Sequence, residues 1–151
     1  MNPNQAAEPA LRHQRGVSLI EVLVSVLVVS LGLLGAVALQ ATALRNNQGS
    51  YERTQTAILT QGIFDAMRAN MAEVNAGAYD TGGLICAAPA AGNLASLDLA
   101  RWINSMHAQI HPGACGSVDC EGSVCTVQVQ WDDSRASGGL AAQNISLTAQ
   151  L

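Results

Sequence analysis

The chain has 151 residues, seven arginines, no lysine and eleven acidic residues, for a formal charge of −4. That balance, with no basic run and only 3% aromatic residues, argues against a nucleic-acid platform built on phosphate contacts or base stacking. The apolar fraction of 49% is concentrated near the N-terminus, so the remainder has a modest core and is expected to need covalent support.

The first segment, residues 1–16, carries Arg12, His13 and Arg15 and ends in Gly16. Behind it, "VSLIEVLVSVLVVSLGLLGAVAL" (17–39) is almost wholly apolar, and residues 22–39 carry no charge. Eighteen residues of helix cover roughly 27 Å, enough for the hydrocarbon core of a bilayer. Arg12, His13 and Arg15 lie just before this run and all four cysteines after it, so the positive-inside rule puts the N-terminus in the cytoplasm. The cysteines then lie on the oxidising side. Two independent features thus give one topology.

Glu21 stands inside the greasy run. A carboxylate at the bilayer centre costs roughly 2.5–3.5 kcal/mol, and such residues mark function with a partner nearby. A cut between Gly16 and Val17 would create an α-amino group about one helical turn from Glu21, in this chain or on a neighbouring copy. It would also remove Glu8, Arg12 and Arg15, moving the formal charge from −4 to −5.

"RGVSLIEVLV" (15–24) resembles the prepilin signature of type IV pilins and type II secretion pseudopilins. The shared parts are a basic leader, a glycine at the cut, a hydrophobic helix, and a glutamate fifth after the cut. The resemblance implies cleavage at Gly16–Val17 by a membrane prepilin peptidase and methylation of the new N-terminus at Val17. It also gives Glu21 the role of setting register between subunits. Val17 stands where the family more often has Phe or Met, and the helix-breaking proline of many major pilins is absent; Gly32 and Gly35 are the candidate weak points instead. Within the family, "SLIEVLV", "FDAMRAN" (64–70) and "VQVQWDD" (127–133) resemble minor pilins. The partners implied are other pilin subunits, the peptidase and an inner-membrane assembly platform. The implied location is a single-pass inner-membrane precursor, then the pilus or cell surface.

After residue 39 the spacing of Leu59, Ile63, Met67, Met71 and Val74 gives one amphipathic stripe, with Glu52, Arg53, Gln61 and Arg68 off it. The reading is one helix over 17–75, of which 17–39 spans the membrane, followed by a small extracytoplasmic domain over 76–151. Residues 75–93 are rich in Gly, Ala and Pro and read as a loop with a short extended piece at 84–86. "SLDLARWINSMHAQI" (96–110) reads as a helix capped by Ser96, with Asp98 in its first turn and Pro112 beyond its end. Leu99, Trp102, Ile103, Met106 and Ile110 form its core face. Alternation then puts Cys125, Val127, Val129 and Trp131 on one side of a strand, and Ile145, Leu147, Ala149 and Leu151 on one side of another. The two make an antiparallel hairpin across a long turn, for an α+β fold: a long N-terminal helix packed on a small antiparallel sheet, with a disulfide-stapled C-terminal region.

The four cysteines, Cys86, Cys115, Cys120 and Cys125, allow three pairings. Cys120 with Cys125 closes a short loop and leaves Cys86 with Cys115; alternatively Cys86 staples Cys125. The first is preferred and the second stays open. His107 and His111 with Cys115 and Cys120 could be drawn as a zinc site, but the oxidising side and the even cysteine count favour disulfides, so no metal is assigned. Asp132 and Asp133 read as a solvated turn rather than an acid pair, since neighbours at a strand end point to opposite sides. The Asn144-Ile145-Ser146 sequon is too common a tripeptide to carry weight. No triad or phosphate loop has supporting context, so no catalytic residue or cofactor is assigned. The chain reads as the substrate of an enzyme rather than an enzyme. A secretion pseudopilin and a signal-anchored periplasmic enzyme are the competing readings.

Overall fold

The computed structural model describes residues 16–136 and 138–151; residues 1–15 of the leader lie outside the described residues. The chain divides into two compact units, Met1–Leu39 and Gln40–Leu151. Helix α1 (Leu19–Ala69) begins in the first and ends in the second. It is followed by α2 (Met71–Asn75), α3 (Leu94–Gln109), and strands β1 (Cys115–Glu121), β2 (Val124–Trp131) and β3 (Gln143–Gln150). The fold is α+β, with two disulfides in its C-terminal region.

The helix expected over 17–75 is divided at Asn70, whose φ of −132° and ψ of 47° leave the helical region. Asparagine side chains bond locally and compete with the helix ladder. Here the Asn70 amide donates to the Tyr79 hydroxyl at 3.3 Å, fixing the break. Gly32 and Gly35, the candidate weak points, sit inside unbroken α1.

The face that α1 buries in the second unit is Gly49, Glu52, Thr56, Thr60, Ile63, Phe64 and Met67. Ile63, Met67 and Val74 of the expected stripe are buried, whereas Leu59 and Met71 are half-buried. Glu52 lies on the buried face and not off it, at 5% exposure. Helix α3 presents Leu99, Trp102, Ile103 and Met106 to the same core, with Ile110 as its C-cap. Its N-cap is Asn93 rather than Ser96: the Asn93 side chain accepts from the Ser96 N–H at 3.0 Å, and Asp98 falls beyond the first turn. The asparagine wins because its carbonyl reaches the orphan N–H of the first turn from an extended backbone.

The sheet is an antiparallel meander ordered β1-β2-β3. β1 lies in a stretch for which the sequence offered no strand pattern. It pairs with β2 through a two-residue turn whose first residue, Gly122, has φ +63°, as a type II′ hairpin requires. Cys125, Val127, Val129 and Trp131 of β2 are buried, the face that alternation assigned. On β3 the inward residues are less covered, and Leu147 is 40% exposed, against the expectation of a core position. Edge strands close a sheet on one side only, so their inner residues keep a solvent margin.

The Cys120–Cys125 bond joins register partners across the β1–β2 hairpin. The Cys86–Cys115 bond ties the preceding loop to the start of β1, beside an isolated bridge between Ile85 and Gly116. Gly116 also faces the indole of Trp102, and a Cβ there would overlap the ring and approach Met106 Cε to 2.9 Å.

Candidate assembly segment

Within the first unit every described residue from Gly16 to Leu39 is exposed. The side chains of Leu23, Leu27, Leu31 and Leu34 each leave about 60% or more of their surface uncovered. A continuous apolar surface of this extent is a membrane or partner surface, not a soluble one. Among the described residues, α1 is the one helix long and apolar enough to cross a membrane. The two serines within residues 22–39, Ser25 and Ser30, do not oppose this. Ser25 Oγ donates to the Glu21 carbonyl and Ser30 Oγ to the Val26 carbonyl, both at 2.6 Å, so each hydroxyl is satisfied within the helix.

Glu21 lies in the first turn of α1, and its N–H donates to the Ser18 carbonyl at 3.0 Å. The carboxylate therefore faces the positive end of the helix dipole, which contributes about 0.3–1 kcal/mol. The roughly 2.5–3.5 kcal/mol cost of a charge at the bilayer centre is an upper bound for Glu21, at the N-terminal edge of the span, and no described side chain pairs with it.

Gly16 is exposed, has no positive φ, and a Cβ there would meet nothing within 4 Å. Nothing in the fold requires glycine at this position. Val17 follows it, 70% exposed and just before the helix.

The second unit holds a polar cluster that sequence reasoning missed. Trp131 Nε1–H donates to Glu52 Oε2 at 3.1 Å, and Gln48 approaches Oε1 at 3.5 Å. Asp133, expected in a solvated turn, is 2% exposed, while Asp132 is exposed and accepts from the Ser134 N–H at 2.9 Å. Hydrogen bonding from the Ser134 side chain, and after it from the Ser134 N–H, holds the Asp132 carboxyl below the usual carboxylate range. Asp133 faces Arg53 at 3.4 Å and packs against Gly49, where a Cβ would come within 3.3 Å of its carboxylate. The signal was present: Glu52 fits the spacing 49, 52, 56, 60, 63, 67, but that stripe is written in Gly, Glu and Thr. The cluster fastens the segment after β2 to α1; it holds no catalytic arrangement.

The residues once drawn as a metal site are occupied otherwise. His107 Nε2 contacts the Ala114 carbonyl at 2.9 Å, and His111 Nδ1 accepts from Gly113 N–H at 3.0 Å. Cys115 and Cys120 are in disulfides.

Among known families, the model of a prokaryotic N-terminal methylation motif matches residues 11–37. No curated protein and no solved structure matches the chain. The motif implies processing by a prepilin peptidase and assembly with other pilins in general, and a structural rather than enzymatic role. Together with the long apolar helix it fits membrane anchoring. In its N-terminal segment the chain carries a prepilin signature of the type IV pilin and pseudopilin kind.

Proposed function

We propose that the chain is a minor pilin of a type IV pilus. It enters the inner membrane with its N-terminus in the cytoplasm and is cleaved between Gly16 and Val17, where the new terminus is methylated. It then joins a helical assembly through residues 17–39 and displays residues 76–151 outside the membrane. In this role it supports priming of assembly, twitching motility and adhesion. The observation that carries the reading is the coincidence of Gly16, Glu21 and a fully exposed apolar helix within a methylation motif. The energetic step is pairing: the cost left at Glu21 falls when an N-terminal ammonium, of this chain or a neighbour, lies within a few ångströms in low dielectric.

Within the family the reading narrows to the minor pilin PilV, through "FDAMRAN" and "VQVQWDD". Both stretches supply the core, as Phe64 and Met67 in one and Val127, Val129 and Trp131 in the other. A type II secretion pseudopilin would share the same motif; four cysteines closed in two bonds favour the pilin.

The test is Glu21→Ala in the host. The variant is expected to be processed normally yet be absent from sheared filaments. Incorporation equal to wild type would remove the pairing argument.

A further inference from the structure

A helix turns each backbone N–H and C=O back onto the chain, whereas cleavage concentrates where backbone is exposed and irregular. Gly16, Val17 and Ser18 are exposed and lie outside the helix, which begins at Leu19. The Gly16–Val17 bond therefore lies two residues ahead of the first helical one.

The start of the helix is written over six residues. The Ser18 carbonyl accepts from the N–H groups of Glu21 at 3.0 Å and Val22 at 3.3 Å, which makes Ser18 the N-cap. Glu21 is then the third helical residue, and Ser18-x-x-Glu21 is the sequence order of a capping box ahead of an apolar run. Val17 and Val22 hold the two positions that a hydrophobic staple joins. Val22, at 49% exposure, is the most covered large apolar side chain of residues 17–39. On the other side of the bond stands Gly16, and glycine is a poor helix former. The bond is thus bracketed by a residue that resists helix and one that starts it.

We propose that Ser18 is a positioning residue for the processing reaction: by starting α1 where it does, it keeps the Gly16–Val17 bond in open backbone. The inference rests on cleavage at that bond, as proposed above. The need for a cap comes from the membrane. In lipid an unpaired N–H is costly, so an apolar helix without a cap does not fray inward. It runs on toward water until its first N–H groups find partners. In this chain that direction leads through Val17 and Gly16, and the added turn would take the scissile bond into the helix. Serine at the N-cap outweighs alanine or leucine by about fivefold in the balance of helix starts, equivalent to about 1 kcal/mol.

The test uses the full chain in the membranes of its host, as wild type, Ser18→Asn, Ser18→Ala and Ser18→Leu. Pulse–chase labelling with mass spectrometry of the N-terminus would give the cleavage rates. Asparagine is a good cap and larger than serine, while alanine is a poor cap and smaller, so capping and size predict different orders. Cleavage of Ser18→Asn is expected within about twofold of wild type, and that of Ser18→Ala and Ser18→Leu about fivefold slower. In detergent, the Cα chemical shifts of Gly16 and Val17 are expected to turn helical in the alanine and leucine variants alone. A wild-type rate in Ser18→Ala would overturn the proposal, as would slower cleavage without the change in chemical shift. Equal losses in Ser18→Asn and Ser18→Leu would also overturn it, showing that the peptidase reads the side chain itself. A wild-type chain left uncut at Gly16–Val17 would instead overturn the cleavage reading, and this inference with it.

Discussion

Glu52 and Glu21 are two carboxylates on one helix with opposite surroundings. Glu52 is buried and accepts a hydrogen bond from Trp131. Glu52→Ala would strand the buried indole N–H and open a cavity, at a cost of about 2–4 kcal/mol. Glu52→Gln keeps an acceptor and is expected to cost about 1 kcal/mol. Urea unfolding followed by the fluorescence of Trp102 and Trp131 would measure both, and equal losses would show that the bond to Trp131 is immaterial. Tyr79 gives a second residue-scale test. Burial raises its pKa above 10.0; the Asn70 bond lowers it, and the bond to Asp98 at 2.8 Å and the charge of that carboxylate raise it. In the unfolded chain the phenol ionises near pH 10, while in the folded chain it stays protonated to higher pH. Its contribution is therefore complete below pH 10 and is lost as the pH rises through the folded value. Tyr79→Phe is expected to flatten the fall in stability above pH 10; an unchanged alkaline slope would contradict this.

At the scale of elements the sheet depends on its two disulfides in different ways. Cys86–Cys115 closes a sequence separation of 29 and holds the cover on β1, while Cys120–Cys125 closes only 5 within a hairpin already in register. By chain entropy the first contributes about 3.5 kcal/mol and the second about 2 kcal/mol. Paired Cys→Ala substitution should rank them in that order by urea midpoint, and the reverse order would show that the hairpin is not formed without its bond. What was legible here followed from periodicity. β2 alternates without interruption, and the core face of α3 reads directly from Leu99 to Ile110. What was not legible lacked an apolar signal. β1 runs Cys-Gly-Ser-Val-Asp-Cys-Glu, with one strong strand former, and becomes a strand because β2 and the 80–86 loop pair with it on either side. The break at Asn70 depends on a hydroxyl nine residues away, and the Asn93 cap on a choice between two good capping residues three apart.

For the whole molecule, the assembly segment was the most legible part and the outer domain's polar clasp the least. The methylation motif over residues 11–37 and the apolar helix declare themselves by sequence because their signal is chemical and local. Burial of Asp133 against Gly49 is a tertiary event between residues 84 apart, and no local pattern announces it. The account rests on Glu21 being tolerable in lipid because proteolysis supplies a nearby ammonium. The most direct measurement is N-terminal mass spectrometry of the chain extracted from the membranes of its host. The account predicts Val17 as the first residue. A chain that still begins upstream of Gly16 would contradict it.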